Sequence, residues 1–194
     1  MTKKVLCFLL LAILVSLSYA QNPNQIMTDE KAIIINPAPS FSVDVWIDKR
    51  YANGTMASYR IGETIEIGLN SNASAYIYLF NIHADGTVVQ IFPNRYEVNN
   101  YLSPGHIKYF GVSGSPYQLR IAEPIGEDKL LAIASKTPLD TSVITPFQGP
   151  TDFFAIRQYT NETNQQLAQS FATSLSLFPQ SSWASDTVIF TIRP

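Results

Sequence analysis

From Phe41 onward, apolar and polar side chains alternate with a period of two, and no other feature of the sequence restricts the fold as tightly. Phe41, Val43, Val45 and Ile47 are separated by Ser42, Asp44, Trp46 and Asp48. Ile65, Ile67 and Leu69 alternate with Glu66 and Gly68, and Tyr117, Leu119 and Ile121 with Gln118 and Arg120. Val188, Phe190 and Ile192 repeat the pattern against Thr187, Ile189 and Thr191. Alternation of this kind buries one wall of a sheet and wets the other. Ala75 to Ile82 and Lys129 to Ala134 are apolar almost throughout, and read as central strands covered on both faces.

Turn residues fall between these runs. Asn53-Gly54 and Ser103-Pro104-Gly105 mark turns, and Asp85-Gly86 separates two runs as a hairpin turn with positive φ requires. Gly62 lets the chain swing into the strand of Ile65–Leu69, Pro93-Asn94 closes a strand, and Gly105 supplies a positive φ. Roughly eight to ten short strands at this spacing predict an immunoglobulin-like antiparallel β-sandwich. One segment breaks the pattern. Leu167, Phe171, Leu175 and Phe178 follow one another at spacings of four, four and three, the stripe of an amphipathic helix. Asn161 or Thr163 can cap its start and Pro179 ends it. We expect this C-terminal helix to pack across an open edge or end of the sandwich. Residues 41–194 then form a single domain, preceded over 21–40 by a polar tether and a short edge strand at Ala32–Ile35, which Asn36-Pro37-Ala38-Pro39 stops.

The first twenty residues read as an address. Lys3 and Lys4 precede the unbroken apolar run Val5–Val15, and Ser18-Tyr19-Ala20 offers the small residues a signal peptidase reads. Residues 1–20 are therefore expected to be a cleaved secretory signal. The run falls short of the ~20 residues a membrane span needs. The only cysteine, Cys7, lies inside it, so the remainder has no disulfide, thiolate nucleophile or Cys-bound metal. Without the leader, eleven basic side chains stand against fifteen acidic ones, a formal balance of −4 with no basic cluster. That argues against nucleic acid as a partner. No second long apolar run follows, so no transmembrane segment is expected after cleavage.

Gly111-Val112-Ser113-Gly114-Ser115 only approximates a nucleophile elbow, since its last position is Ser and no helix follows. His83 and Asp85 supply two ligands on one hairpin where zinc wants three or four, and they read as exposed turn residues. Asp44 and Asp48 lack the dense acidic pattern that calcium loops favour. No phosphate-binding glycine loop is present. No cofactor, metal site or catalytic residue is expected. Paired carboxylates for glycoside hydrolysis depend on spatial placement, and nothing selects a pair among fifteen acids. The most suggestive surface is Phe92 to Tyr101, where Arg95, Tyr96, Asn99, Asn100 and Tyr101 mix aromatic faces with amides and a guanidinium. Such a mix stacks on a sugar ring or anchors a protein partner. The competing reading is a turn-rich connection whose tyrosines pack on the sandwich.

A family resemblance rests on the order and spacing of several pieces. These are Tyr59-Arg60-Ile61-Gly62-Glu63, Ala75-Tyr76-Ile77-Tyr78-Leu79-Phe80-Asn81-Ile82, Ala84-Asp85-Gly86, Phe92-Pro93-Asn94-Arg95-Tyr96, Asn99-Asn100-Tyr101, Ser103-Pro104-Gly105, Glu123-Pro124-Ile125-Gly126 and Leu131-Ala132-Ile133-Ala134-Ser135. Together, over 59–139, they resemble the bacterial family DUF4384, a domain of unknown function. The flanks Val43-Asp44-Val45-Trp46-Ile47-Asp48 and Ser182-Trp183-Ala184-Ser185-Asp186 resemble longer exported members from bacteria of the Deinococcus–Thermus kind. The resemblance implies an exported β domain of the bacterial cell envelope, with no family catalytic residue to carry over. Sequons at Asn53, Asn72 and Asn161 then read as chance. The expected function is a non-enzymatic interaction or structural module in the periplasm or at the cell surface, such as an accessory subunit of a surface assembly. Its partner would be an envelope protein. A glycan or peptidoglycan binder using the 92–101 loop is the alternative, and a carboxylate-dependent hydrolase the third.

Overall fold

The computed structural model describes residues 27–28, 34–49, 56–149, 152–159 and 163–194. The expected leader with Cys7, most of the tether, the Asn53-Gly54 turn and the candidate cap Asn161 lie outside these residues. In chain order the elements are β1 (Met27–Thr28), β2 (Ile34–Ile35), β3 (Val43–Ile47), β4 (Ala57–Arg60), β5 (Ile67–Ser71), β6 (Ala75–Ile82), β7 (Thr87–Phe92), β8 (Tyr101–Leu102), β9 (Ile107–Phe110), β10 (Gly126–Ser135), β11 (Ala155–Gln158), α1 (Thr163–Leu175) and β12 (Trp183–Arg193).

The chain is mostly β. A seven-stranded sheet runs β11-β7-β6-β10-β12-β4, with β8 also on β6, and a three-stranded sheet runs β3-β5-β9. A two-stranded pair, β1-β2, stands apart. The apolar runs read as central strands are β6 and β10, paired antiparallel from Lys129↔Ile82 to Ser135↔Tyr76. β12 pairs antiparallel along all of β10, from Gly126↔Ile192 to Ser135↔Trp183. On its other side it pairs with β4, and there the strands are parallel, Phe190↔Ala57 to Arg193↔Arg60. A wholly antiparallel sandwich is thus corrected to one mixed and one antiparallel sheet. Parallel neighbours require a long crossover, and almost the entire domain lies between β4 and β12 in sequence.

Alternation in the sequence becomes burial as its period demands. In β3, Val43, Val45 and Ile47 are buried while Asp44 is exposed and Trp46 half-buried. These residues, with Ile65, Ile67, Leu69 and Phe110 of the small-sheet side, meet Ile77, Leu79, Leu130, Ala132, Phe190 and Ile192 of the large sheet in one inter-sheet core. Tyr117–Ile121 alternates in burial but is not a strand of either sheet. A bridge at Thr64↔Arg120 and bonds from Ile65 N to Leu119 O and Ile121 N to Glu63 O hold it along the chain before β5.

The large sheet has a second apolar face. Tyr78, Phe80, Ile82, Leu131, Ile133 and Trp183 point away from the small sheet and form a separate core with Leu167, Phe171 and Leu175 of α1. Phe80 and Phe171 meet edge to face at 5.2 Å. Leu167, Phe171 and Leu175 form the expected stripe, but α1 ends at Leu175, before Phe178, and it covers a sheet face rather than an edge or end. The reason is that β6 and β10 are apolar on both sides and each face needs a cover. Burying each stripe side chain stabilises by roughly 1.5–3 kcal/mol relative to exposing it. The layers are therefore small sheet, large sheet, helix. Among the described residues no helix is long and apolar enough to cross a membrane.

Candidate functional site

The 92–101 loop leaves β7 at Phe92 and is pinned by a buried side chain, Asn94. Its amide donates to Ile91 O at 2.8 Å and to Tyr117 Oη at 3.1 Å, and its Oδ1 accepts from the backbone N–H groups of Tyr96 and Glu97, each at 2.9 Å. An Asn that satisfies four groups at once fixes a turn without regular structure. The Tyr117 hydroxyl donates in turn to Glu97. Burial first, and the Glu97 charge second, push the Tyr117 phenol well above the ordinary tyrosine range.

The five sequence-selected residues divide. Arg95 is exposed, donates from Nη2 to Gly149 O at 2.7 Å, and lies 4.5 Å from the Phe147 ring centroid. Tyr96 is 70% exposed, with its ring 4.5 Å from that of Phe153. Phe153 continues to Phe154 at 4.2 Å and Tyr117 at 5.0 Å. Arg95 and Tyr96 therefore belong to an aromatic end built with Phe147, Phe153 and Phe154, which the sequence reading did not join to the loop. Asn100 serves the scaffold: it exchanges bonds with the Ile77 backbone through its own carbonyl at 2.8 Å and its amide at 3.0 Å. Asn99 accepts from Tyr101 N at 3.2 Å. Tyr101, half exposed, meets Tyr76 edge-on at 5.2 Å. Among the described residues no ring contact joins Tyr101 to the Tyr96 cluster.

Phe154 is also a wall of a cleft of about 380 Å³ at one end of the inter-sheet space. Ile65, Ile67, Ile91, Leu130, Phe190 and Ile192 make it apolar, while Gln118, Arg120 and Glu123 stand along one side. Its polar end is a cluster that sequence reading missed. Asp128 is 0% exposed and accepts from Asn81 Nδ2 at 3.0 Å and from Ala84 N at 3.2 Å, and His83 Nδ1 lies 2.8 Å from its Oδ2. His83 is therefore no freely exposed turn residue; its side chain is 18% exposed and tied to a buried carboxylate. His106, by contrast, is exposed. The Asn81 Nδ2 also lies 3.3 Å from His83 Nε2, which leaves Asn81 Oδ1 buried with no protein donor among the described residues. A signal for this cluster was present. Asp128 is in phase with Leu130, Ala132 and Ala134, and Asn81 with Ile77 and Leu79, so both polar groups sit on inward-facing positions. Among the described residues no group of three or more His, Cys, Asp or Glu is placed to hold a metal.

A third surface lies on the outer wall of the small sheet. Trp46, Gly68 and Tyr109 are register neighbours across β3, β5 and β9. A Cβ on Gly68 would come within 2.2 Å of the Trp46 ring, so the indole lies flat on the sheet where a side chain would otherwise stand. Tyr109 rises beside it, 6.4 Å away and 86° out of plane, with Asp48 and Glu66 flanking the slot.

Comparison with curated proteins gives no match, and comparison with solved structures gives none. A family model does match: residues 58–138 fit the one described as domain of unknown function (DUF4384), a span running from β4 to just past β10 that carries the loop, His83 and Asp128. Over this stretch the chain is similar to the DUF4384 family.

Proposed function

We propose that the chain is a non-enzymatic interaction module of the exported, cell-envelope kind, which holds an envelope protein through its aromatic end, as an accessory subunit does. The observation that carries this reading is Tyr96, a residue 70% exposed yet with its ring held 4.5 Å from that of Phe153 on a loop pinned by Asn94. With Arg95 over Phe147, it gives the rigid Tyr–Arg pairing on which binding energy concentrates at protein interfaces. The envelope setting rests on the leader pattern of residues 1–20. We read the two facing sheets as immunoglobulin-like in the architectural sense, with recognition assigned to one end of the layers.

A protein partner is favoured over a sugar at this end because Asn99 and Asn100 spend their polar groups on the loop and on β6. Glycan binding has its own supporting observation elsewhere, the flat Trp46 with Tyr109 at a right angle and Glu66 beside it. Against the hydrolase reading stands Asp128, wholly buried, accepting from Asn81 and Ala84, and with His83 Nδ1 2.8 Å away.

The test is a photo-crosslinking residue at position 96 of the full chain, in cells that express it. A discrete crosslinked protein is expected. Tyr96→Ala or Arg95→Ala should each weaken its capture by roughly 30-fold, the size of a ~2 kcal/mol hot spot. Retention on isolated cell wall that is lost with Trp46→Ala and untouched by Tyr96→Ala would replace this reading with the glycan one. A chain that crosslinks to nothing and ignores cell wall would refute both.

A further inference from the structure

The outer wall of the small sheet carries a recess that shares no residue with the aromatic end. One side of it is the indole of Trp46, drawn across the sheet into the space a Cβ on Gly68 would fill. The other is the Tyr109 ring, 6.4 Å away between centroids and at 86° to the first. Trp46, Gly68 and Tyr109 stand in one register row of β3, β5 and β9, so strand pairing rather than loop conformation sets this corner.

The charged groups lining the recess have one sign. Asp48 and Glu66 border it, both exposed, and among the described residues no basic side chain does. Asp48 is fixed in place, its Oδ1 accepting from Tyr59 Oη at 2.7 Å and from Glu66 N at 3.0 Å. Glu66 has no ion-pair partner among the described residues. The two lysines beside these strand positions are engaged elsewhere. Lys49 pairs with Glu63 and lies 4.4 Å from the Tyr59 ring centroid. Lys108 is on the opposite face of β9, paired with Glu97 and 5.4 Å from the Phe92 ring centroid. Trp46 also borders a neighbouring hollow, where Asp44 and Asp186 stand against Lys49 alone.

Trp46 and Tyr109 can stack on a sugar, but charge and size specify a different ligand. Two π faces at right angles with carboxylates beside them attract a cation and disfavour an anion. The recess measures about 60 Å³. It holds a group the size of a few waters, far below the roughly 300–1,000 Å³ of sites that enclose a whole small molecule. It therefore takes a head group, and a pyranose ring is too large to enter. A primary ammonium is compact and strongly hydrated, and would lose that hydration against the rings. A methylated ammonium meets aromatic faces without needing hydrogen bonds. The same acids would repel an anionic bilayer, which places the head on a free solute rather than a lipid. We infer that the Trp46–Tyr109 corner binds the methylated ammonium head of a small solute, with the rings against its methyl groups and Asp48 and Glu66 as counter-charge.

The test is an NMR titration of the full chain with choline and with 3,3-dimethylbutan-1-ol, which has a neutral carbon where choline has nitrogen. Choline is expected to saturate, to move the Trp46 indole N–H resonance, and to bind about tenfold tighter than the alcohol, since each exposed ring contact with a cation contributes a few-fold. Added salt should narrow that gap, because both carboxylates face solvent. Glu66→Gln should weaken choline several-fold and leave the alcohol unchanged, and Tyr109→Leu should close most of the gap. Tyr96→Ala should leave it as it was, so this inference and the aromatic-end reading fail separately. Equal affinities for the two probes, no saturation, or shifts confined to residues away from β3, β5 and β9 would each overturn it. Cellobiose that saturates at Trp46 where choline does not would assign the face to a sugar. Retention on phosphatidylcholine vesicles without a response to free choline would overturn the solute source. The comparison of probes on the unaltered protein decides the inference even if a variant does not fold.

Discussion

Trp46 and Gly68 are the residues whose identities depend on each other most directly. Glycine in a strand is unfavourable by roughly 0.5–1 kcal/mol against alanine, because it loses more freedom on folding. At Gly68 that cost is offset by the indole of Trp46, which occupies the space a Cβ would need and shields the backbone of β5 from water. Ordinarily Gly→Ala in a strand helps; here it should hurt. Gly68→Ala would place a methyl within 2.2 Å of the ring and force the indole off the sheet. We expect a loss of about 1–3 kcal/mol, the usual cost of overpacking. Urea denaturation measures it, and a Trp183→Phe background makes Trp46 the only tryptophan, whose emission should shift to the red. In the double-mutant cycle, Trp46→Ala should recover most of the Gly68→Ala cost. An unchanged cost without the indole would assign the effect to the backbone alone.

At the scale of the strand, register decides which variants matter. Ile67 is 1% exposed and pairs with Ile47 on one side and Phe110 on the other, while the adjacent Glu66 side chain faces solvent. Ile67→Asp puts an unpaired carboxylate into the inter-sheet core. It should cost several kcal/mol, a large share of the ~5–15 kcal/mol that holds a domain together. Glu66→Gln should stay within about 0.5 kcal/mol of the parent, as surface changes do. Similar melting temperatures for the two would place β5 in the wrong phase. This register was legible in the sequence because a period of two leaves only one way to bury Ile65, Ile67 and Leu69 together. The helical stripe was legible for the corresponding reason at period 3.6. What could not be read was pairing. β9 exposes Ile107 and Tyr109 and buries only Phe110, so it carries no alternation signal. The parallel contact of β4 with β12 is set by tertiary packing between segments far apart in sequence. The site was half legible for the same reasons. Arg95 and Tyr96 stood out by composition, but Phe147 and Phe153 reach them only through the fold, as His83 reaches Asp128.

The described residues form two cores, and β6, β10 and β12 each serve both. β12 sends Trp183 into the helix-side core, and Ala184, Phe190 and Ile192 into the inter-sheet core, while bonding to β10 and β4. The two cores lie back to back on the same backbones, so neither layer can open without exposing apolar surface on strands the other requires. Small single domains of this kind unfold in one step when their parts share structure. Phe171, fully buried on the sheet-facing side of α1, tests one core. Phe190, buried and 5.5 Å from Tyr59, tests the other. Phe171→Ala and Phe190→Ala should each cost about 3–5 kcal/mol, as truncations of buried aromatics do. More informative is the form of the loss. If the layers are one cooperative unit, each variant lowers a single melting transition, and circular dichroism of the backbone and near-ultraviolet signals from the aromatic side chains remain superimposable. If the helix layer is instead an independent cover on a self-sufficient sandwich, Phe171→Ala splits the curve into an early helical step and a later β step, while Phe190→Ala leaves the helical step where it was.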